Sequence, residues 1–246
     1  DPNHRDILMV NKDGSMVSSF RPRFSYSGAK EYRKIVICPD GGFVVSGMFN
    51  TVDDLPRNGF VRFLPDGTVD SGFVVTSVNS VTDFDVLPDG KLLVLGFDSS
   101  GPLLVRLNAD GSRDTGFNAG VASVQGFLGL RSGKVLVTGD FGYNWGIGGT
   151  FRLKRLNVDG SVDESFSFGS ISGTNMGEMV EQPDGRVIVE ENAGTTSPIL
   201  RRVWPDGSYD TTFEPFLGQS PYIQTLSLQA DGKLDRKSTR LNSSHT

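Results

Sequence analysis

LVRLNADGSRDTGF, residues 104–117, holds a strand, a tight turn and the start of a second strand. Apolar residues flank Arg106, and Asp110-Gly111 follows, a dipeptide suited to the positive φ of a two-residue hairpin turn. Beyond the turn runs DGSxDxxF, ending on Phe117. The same unit recurs as FVRFLPDG at 60–67, LKRLNVDG at 153–160 and LRRVWPDG at 200–207, with Arg62, Arg106, Arg155 and Arg202 in one column. Phe73, Phe166 and Phe213 repeat the terminal aromatic, and an earlier copy at Asp13-Gly14 keeps Phe20 but has Val17 in place of the second Asp.

Working outward, a second kind of turn alternates with the first. It lies at Asp40-Gly41, Asp89-Gly90, Ser132-Gly133, Asp184-Gly185 and Asp231-Gly232, with glycines 49, 43, 52 and 47 residues apart. Each of the first four precedes an apolar run (Phe43-Val44-Val45, Leu92 to Leu95, Val135-Leu136-Val137, Val187-Ile188-Val189), and a strand apolar on both faces must be covered on both. Six residues before each turn glycine stand Ile35, Phe84, Phe127, Met179 and Leu226, an apolar column on the preceding strand.

Four antiparallel strands per period make one propeller blade, which buries its faces by stacking on its neighbours. The expected fold is therefore all-β: a β-propeller of four-stranded antiparallel blades, present as an incomplete open arc of about four full blades plus partial ones. The spacing predicts a partial blade over 1–27, full blades over 28–76, 77–119, 120–169 and 170–217, and a partial blade over 218–234. An arc lacking blades of its own chain would carry exposed edge strands, which favour aggregation.

The pattern PDGKhhVhG…RLNxDGSxDxxF, with h apolar, resembles the bacterial delta-60 repeat, a propeller-forming family of large, often exported or surface-associated proteins. The resemblance runs nearly to Leu234. It implies blade architecture and an extracellular or cell-surface setting, and no particular reaction. Ser132 in place of a turn Asp and Glu190-Glu191 after a core strand depart from the pattern. Residues 235–245, DRKSTRLNSSH, resemble the in-frame translation of a sequencing adapter, so 235–246 is expected to be a non-native tail.

Composition narrows the function. With 246 residues, 37% hydrophobic and 22% charged, the chain is globular in type, and its 31 glycines suit many tight turns. No apolar run approaches the roughly 20 residues that span a bilayer, so membrane insertion is not expected. The net charge of −5 and the lack of a basic patch argue against nucleic acid. Cys38 is the single cysteine and reads as a buried small apolar residue. His4 and His245 offer no Ser-His-Asp set and no metal cluster. The glycine-rich residues 142–149, GYNWGIGG, do not satisfy the phosphate-loop pattern.

Paired acids recur at Asp66/Asp70, Asp110/Asp114, Asp159/Asp163 and Asp206/Asp210. Calcium is the one ion they suggest, but it needs six to eight oxygens, whereas Asp beside Gly67, Gly111, Gly160 and Gly207 serves a tight turn directly. No cofactor is expected, and the recurrent Arg is expected to pair with an acid of its own blade. Long loops between second and third strands, at 48–58 and 142–149, should emerge on one face, and repeat proteins bind through the face that carries their insertions. Asp53, Asp54, Tyr143, Asn144 and Trp145 are the candidate ligand contacts there. The expected function is a non-catalytic binding or structural propeller within a larger exported bacterial protein, presenting its loop face to a protein or glycan. The alternative is a carbohydrate-active hydrolase or lyase with channel carboxylates, for which Glu181, Glu190 and Glu191 are the residues that break the repeat.

Overall fold

The computed structural model describes residues 7–99, 101–121, 123–140, 151–169, 175–192, 199–215, 223–229 and 231–238. Every regular element among them is a β-strand. The chain divides into two compact units, Asp1–Phe117 and Asn118–Thr246. In the first unit the strands are β1 (Phe24–Ser25), β2 (Glu31–Ile37), β3 (Phe43–Met48), β4 (Thr51–Val52), β5 (Leu55–Pro56), β6 (Phe60–Phe63), β7 (Ser80–Val86), β8 (Leu92–Asp98) and β9 (Gly101–Leu107). The second unit holds β10 (Val124–Gly129), β11 (Val135–Asp140), β12 (Phe151–Leu156), β13 (Asn175–Glu181), β14 (Val187–Asn192), β15 (Ile199–Val203), β16 (Ile223–Leu228) and β17 (Leu234–Ser238).

These strands form antiparallel sheets in the orders β2-β3-β6, β7-β8-β9, β10-β11-β12 and β13-β14-β15, followed by the pair β16-β17. The fourth strand of each blade is present as a single bridged pair: Phe63 with Val69, Leu107 with Arg113, Leu156 with Val162 and Val203 with Tyr209. Its brevity has a local cause. One residue beyond the bridge, Asp70 N–H still donates to the Arg62 carbonyl (2.9 Å), but Phe73 N–H then turns back onto the Asp70 carbonyl (3.3 Å). The Asp70 side chain accepts Gly72 N–H (3.0 Å) and completes the turn that takes the chain out of the sheet.

The second strand of each blade is the centre of packing, as its two apolar faces require. Val44 belongs to one core cluster with Phe73, Phe84 and Leu92, while its neighbour Val45 belongs to another with Phe20, Phe43 and Phe63. In the second unit Val187 and Val189 face one cluster and Ile188 the other. Each such side chain, once fully buried, is worth about 1.5–3 kcal/mol of transfer free energy. Cys38 is buried beside Val44, and burial pushes its thiol pKa up.

The apolar column of the first strands is covered unevenly. Phe84 is fully buried and Leu226 nearly so, whereas Ile35 is 49% exposed. The N-terminal residues Phe20 and Phe24 cover the β3 and β6 side of that face. The strand β17 runs on from Leu234 through Asp235 to Ser238 against β16. Strand pairing uses backbone groups that any non-proline residue supplies.

Every pairing of a first with a second strand skips one step, between Tyr32 and Lys34, Val81 and Asp83, Val124 and Gly126, Met176 and Met179, and Ile223 and Thr225. Such bulges leave a residue outside the ladder and re-aim its side chain. In the first full blade that residue is Arg33.

Candidate functional site

Two kinds of polar cluster occur, one repeated in the three later full blades and one confined to the first. The repeated cluster is built on the second Asp of DGSxDxxF. Asp163 accepts Lys134 Nζ (2.7 Å) and Arg155 Nε (2.6 Å) on one oxygen, and Ser165 Oγ (2.6 Å) and N–H (3.1 Å) on the other. Asp114 has the same partners in Lys91 (2.8 Å) and Arg106 (2.7 Å), and Asp210 in Arg186 (3.1 Å) and Arg202 (2.8 Å). The Arg planes stack on the signature aromatic, with Arg106, Arg155 and Arg202 at 4.9, 4.9 and 4.7 Å from Phe117, Phe166 and Phe213. In the first full blade Gly42 stands where the others have Lys or Arg, and Arg62 binds Asp40, leaving its Nε 3.7 Å from Asp70.

The first Asp of each pair is spent on its turn. Asp66, Asp110, Asp159 and Asp206 each accept the N–H and the hydroxyl of the residue two positions on. Gly67, Gly111, Gly160 and Gly207 all have positive φ, between 85° and 94°. Both acids of each pair are thus engaged with the protein's own donors, and among the described residues no group of three metal-ligating side chains converges.

These contacts make the clamps acid-sensitive. The Lys91 ammonium, then Arg106, holds the Asp114 carboxyl down to about 2. Lys134, Ser165 and Arg155 lower Asp163 further, and Thr212, Arg202 and Arg186 do so for Asp210. A carboxyl with a depressed folded-state pKa stabilises the fold above its unfolded value of about 3.9, and that stabilisation is lost as the pH falls through the folded value. The urea midpoint is therefore expected to be flat from about pH 8 to pH 5 and to fall between about pH 4 and pH 2. A midpoint that already drops between pH 7 and pH 5 would contradict this assignment.

The cluster confined to the first full blade is a pocket of about 300 Å3 lined by Tyr26, Arg33, Asn50, Asn58, Asn79 and Ser80, over the backbone of Gly47 and Gly59. It lies where β3 ends and β2, β6 and β7 begin. Its shape follows from backbone constraints. A Cβ at Gly47 would come 2.1 Å from the Glu31 carbonyl oxygen and one at Gly59 2.5 Å from that of Gly47, so both must be glycine. Asn58 has a φ of 38°, a left-handed conformation that Asn tolerates. Its N–H and that of Arg57 both bond to the Asn50 carbonyl, at 3.2 and 2.8 Å, which fixes the two amide side chains near one another. Among the described residues the side-chain amides of Asn50, Asn58 and Asn79 have no hydrogen-bond partner.

The loop at 48–58 thus contributes Met48, Phe49, Asn50 and Asn58 to the pocket. Asp53 and Asp54 sit elsewhere, at the turn of the β4-β5 hairpin, with φ of 48° and 65°. There they hold the N-terminal segment: Asp53 accepts Arg23 N–H (2.9 Å) and Asp54 pairs with the Arg23 guanidinium (2.8 Å). Tyr143, Asn144 and Trp145 lie outside the described residues. The contribution of Arg33 was not foreseen; its only sequence signal is a charged residue interrupting the strand pattern of β2.

The three glutamates that break the repeat are engaged separately. Glu181 accepts Arg131 N–H (2.8 Å). Adjacent strand residues point to opposite faces, and so Glu190 accepts Glu178 N–H (3.2 Å) on one side. Glu191 pairs with Arg201 (2.8 Å) and accepts the Tyr209 hydroxyl (2.9 Å) on the other. Burial, then the bond to Glu191, pushes the Tyr209 phenol pKa upward.

Blades of this design, with a polar pocket among their loops, define a β-propeller. A family model described as a β-propeller domain of unknown function, DUF5122, matches residues 38–73, 87–117, 130–166 and 182–213. The matches take up more than half of the sequence, and the chain belongs to this family. Each matched segment runs from the residue that opens the turn between first and second strands to the signature Phe. No curated protein matches the chain in sequence.

Solved structures match at the level of fold. The extracellular domain of a one-component system from B. thetaiotaomicron is 12% identical with a TM-score of 0.51, over 85% of this chain and 26% of that one. A gluconolactonase from Xanthomonas campestris is 16% identical with a TM-score of 0.55, over 90% of this chain and 74% of that one. A chain of a nidogen/laminin complex is 14% identical with a TM-score of 0.50, over 94% of this chain and 80% of that one. The chain therefore spans about a quarter of the first of these proteins.

Proposed function

We propose that this propeller is a non-catalytic binding module of an extracellular or surface protein, and that the pocket at Arg33, Asn50, Asn58 and Asn79 takes a glycan. The observation that carries the reading is the set of three side-chain amides and a guanidinium around a cleft with the Tyr26 ring at its side. Amides both donate and accept, as hydroxyl-rich sugars require, and an aromatic face packs on the apolar face of a pyranose ring. The delta-60 resemblance and the extracellular domain among the similar folds support the setting.

Titration calorimetry with a panel of neutral oligosaccharides tests the proposal. Binding is expected, and Arg33→Ala and Asn50→Ala should each weaken it about 5- to 10-fold, the equivalent of one lost hydrogen bond of about 1–1.4 kcal/mol. The fold should be unchanged, because both side chains are exposed. Absence of saccharide binding, or binding indifferent to both substitutions, would sink the reading.

A further inference from the structure

The chain carries 29 acidic against 24 basic residues, yet no Asp or Glu lines the pocket beside Arg33. The loop that forms one wall has two acids, and both are engaged elsewhere. Asp53 accepts Arg23 N–H (2.9 Å) and Asp54 pairs with the Arg23 guanidinium (2.8 Å). The other charge of that loop, Arg57, is held by backbone, with Nη1 on the Pro56 carbonyl (2.9 Å) and Nη2 on that of Asp70 (3.2 Å). Among the described residues, Arg33 is the only charged side chain lining this pocket.

Arg33 is also available to a ligand. The bulge between Tyr32 and Lys34 leaves it outside the ladder. Its Nε lies 3.5 Å from Glu31 Oε1, a loose contact between side chains that are 38% and 55% exposed, and such surface pairs are weak. Among the described residues its two terminal nitrogens have no acceptor. They form the edge of a planar fork whose geometry matches the two oxygens of a carboxylate. Gly59, which also lines the pocket, has a backbone N–H without an acceptor among the described residues. Surplus donors, together with a positive charge met only loosely by Glu31, favour an anionic ligand.

We infer that the pocket selects acidic saccharides, with the carboxylate of a hexuronic acid on the Arg33 fork and ring hydroxyls on the amides of Asn50, Asn58 and Asn79. The inference rests on the glycan reading and narrows it to one charge class. Neutral sugars use the same amides but leave the fork partly unused, so they bind more weakly. A charge-assisted hydrogen bond is roughly twice as strong as a neutral one. Arg33 stays in contact with water, so the preference is about ten-fold at low ionic strength and shrinks as salt is added.

Titration calorimetry separates charge from shape when hexuronic acid disaccharides of gluco, galacto and manno configuration are each compared with their methyl esters. At least one acid is expected to bind about ten-fold tighter than its ester. Arg33→Gln should bring that ratio to about one, because the amide keeps a donor and loses the charge. Glu31→Gln should raise it about two-fold by removing the competing carboxylate. Both side chains are exposed, so neither substitution disturbs the core. Acids and esters that bind equally, or a preference that survives Arg33→Gln, would overturn the inference and leave the glycan reading standing. A sulfated disaccharide that outbinds every acid would overturn the assignment of the fork to a carboxylate. Silence from acids, esters and neutral oligosaccharides alike would remove both readings.

Discussion

Truncating Phe63 to alanine is expected to destabilise the protein by about 3–5 kcal/mol, the range for emptying a buried aromatic site. Phe63 is fully buried, stacks on Phe43 at 4.8 Å and meets the Phe20 and Phe24 rings at 5.7 and 6.2 Å. It is paired in register with Phe43 on β3 and bridged to Val69, so no single neighbour can move in to fill the space without disturbing the sheet. Because Phe20 and Phe24 belong to the segment before the first full blade, amide exchange over residues 7–25 should accelerate along with the drop in urea midpoint. Phe97→Ala, at a ring that is 47% exposed, serves as the control and should stay within about 0.5 kcal/mol. Equal effects of the two substitutions would mean that Phe63 does not anchor this core.

Replacing Asp163 with alanine is expected to cost about 2–3 kcal/mol, since it strips hydrogen bonds from two cations and a serine at once. Arg155 keeps only 12% of its side chain exposed and would be left without its carboxylate, whereas Lys134 is 32% exposed and can turn to water. That partial escape keeps the cost below the value for a fully buried ion pair. Asp163→Asn should fall in between, because the amide oxygen can still accept from Ser165 while the charge is gone. Asp159→Ala, at the exposed acid of the same repeat, should cost clearly less than either. Denaturant titration of the three variants gives the ranking, and Asp159→Ala matching Asp163→Ala would show that turn closure, not the clamp, is what the acid supplies.

The two acids of one repeat thus do different work, although in sequence they look alike. Both were legible as turn residues, because an Asp ahead of Gly, Ser or Thr closes a turn with bonds only two residues long. The Lys or Arg that completes each clamp arrives from the opposite hairpin, 23 to 29 residues earlier, and only sheet formation brings it there.

The pocket shows the same division. The loop at 48–58 stood out by its length, and it does line the cleft, but Asp53 and Asp54 are turned away to Arg23 while Asn50 and Asn58 face inward. Which side chain points where depends on the β4-β5 hairpin with its two left-handed residues, and on the bulge that releases Arg33 from its ladder. Glu190 and Glu191 stood out as breaks in the repeat, yet strand alternation sends them to opposite faces.

By itself, the sequence determined the blade period, the turn positions, the doubly apolar second strands and the β-propeller repeat class, because each rests on chemistry within a few residues or on repetition along the chain. Tertiary structure alone decided the single-pair fourth strand, the exposure of Ile35, the ion clamps and the members of the pocket. The reason is that coverage and register are properties of neighbouring blades: the same apolar column is buried at Phe84 and half exposed at Ile35 according to what stacks on it.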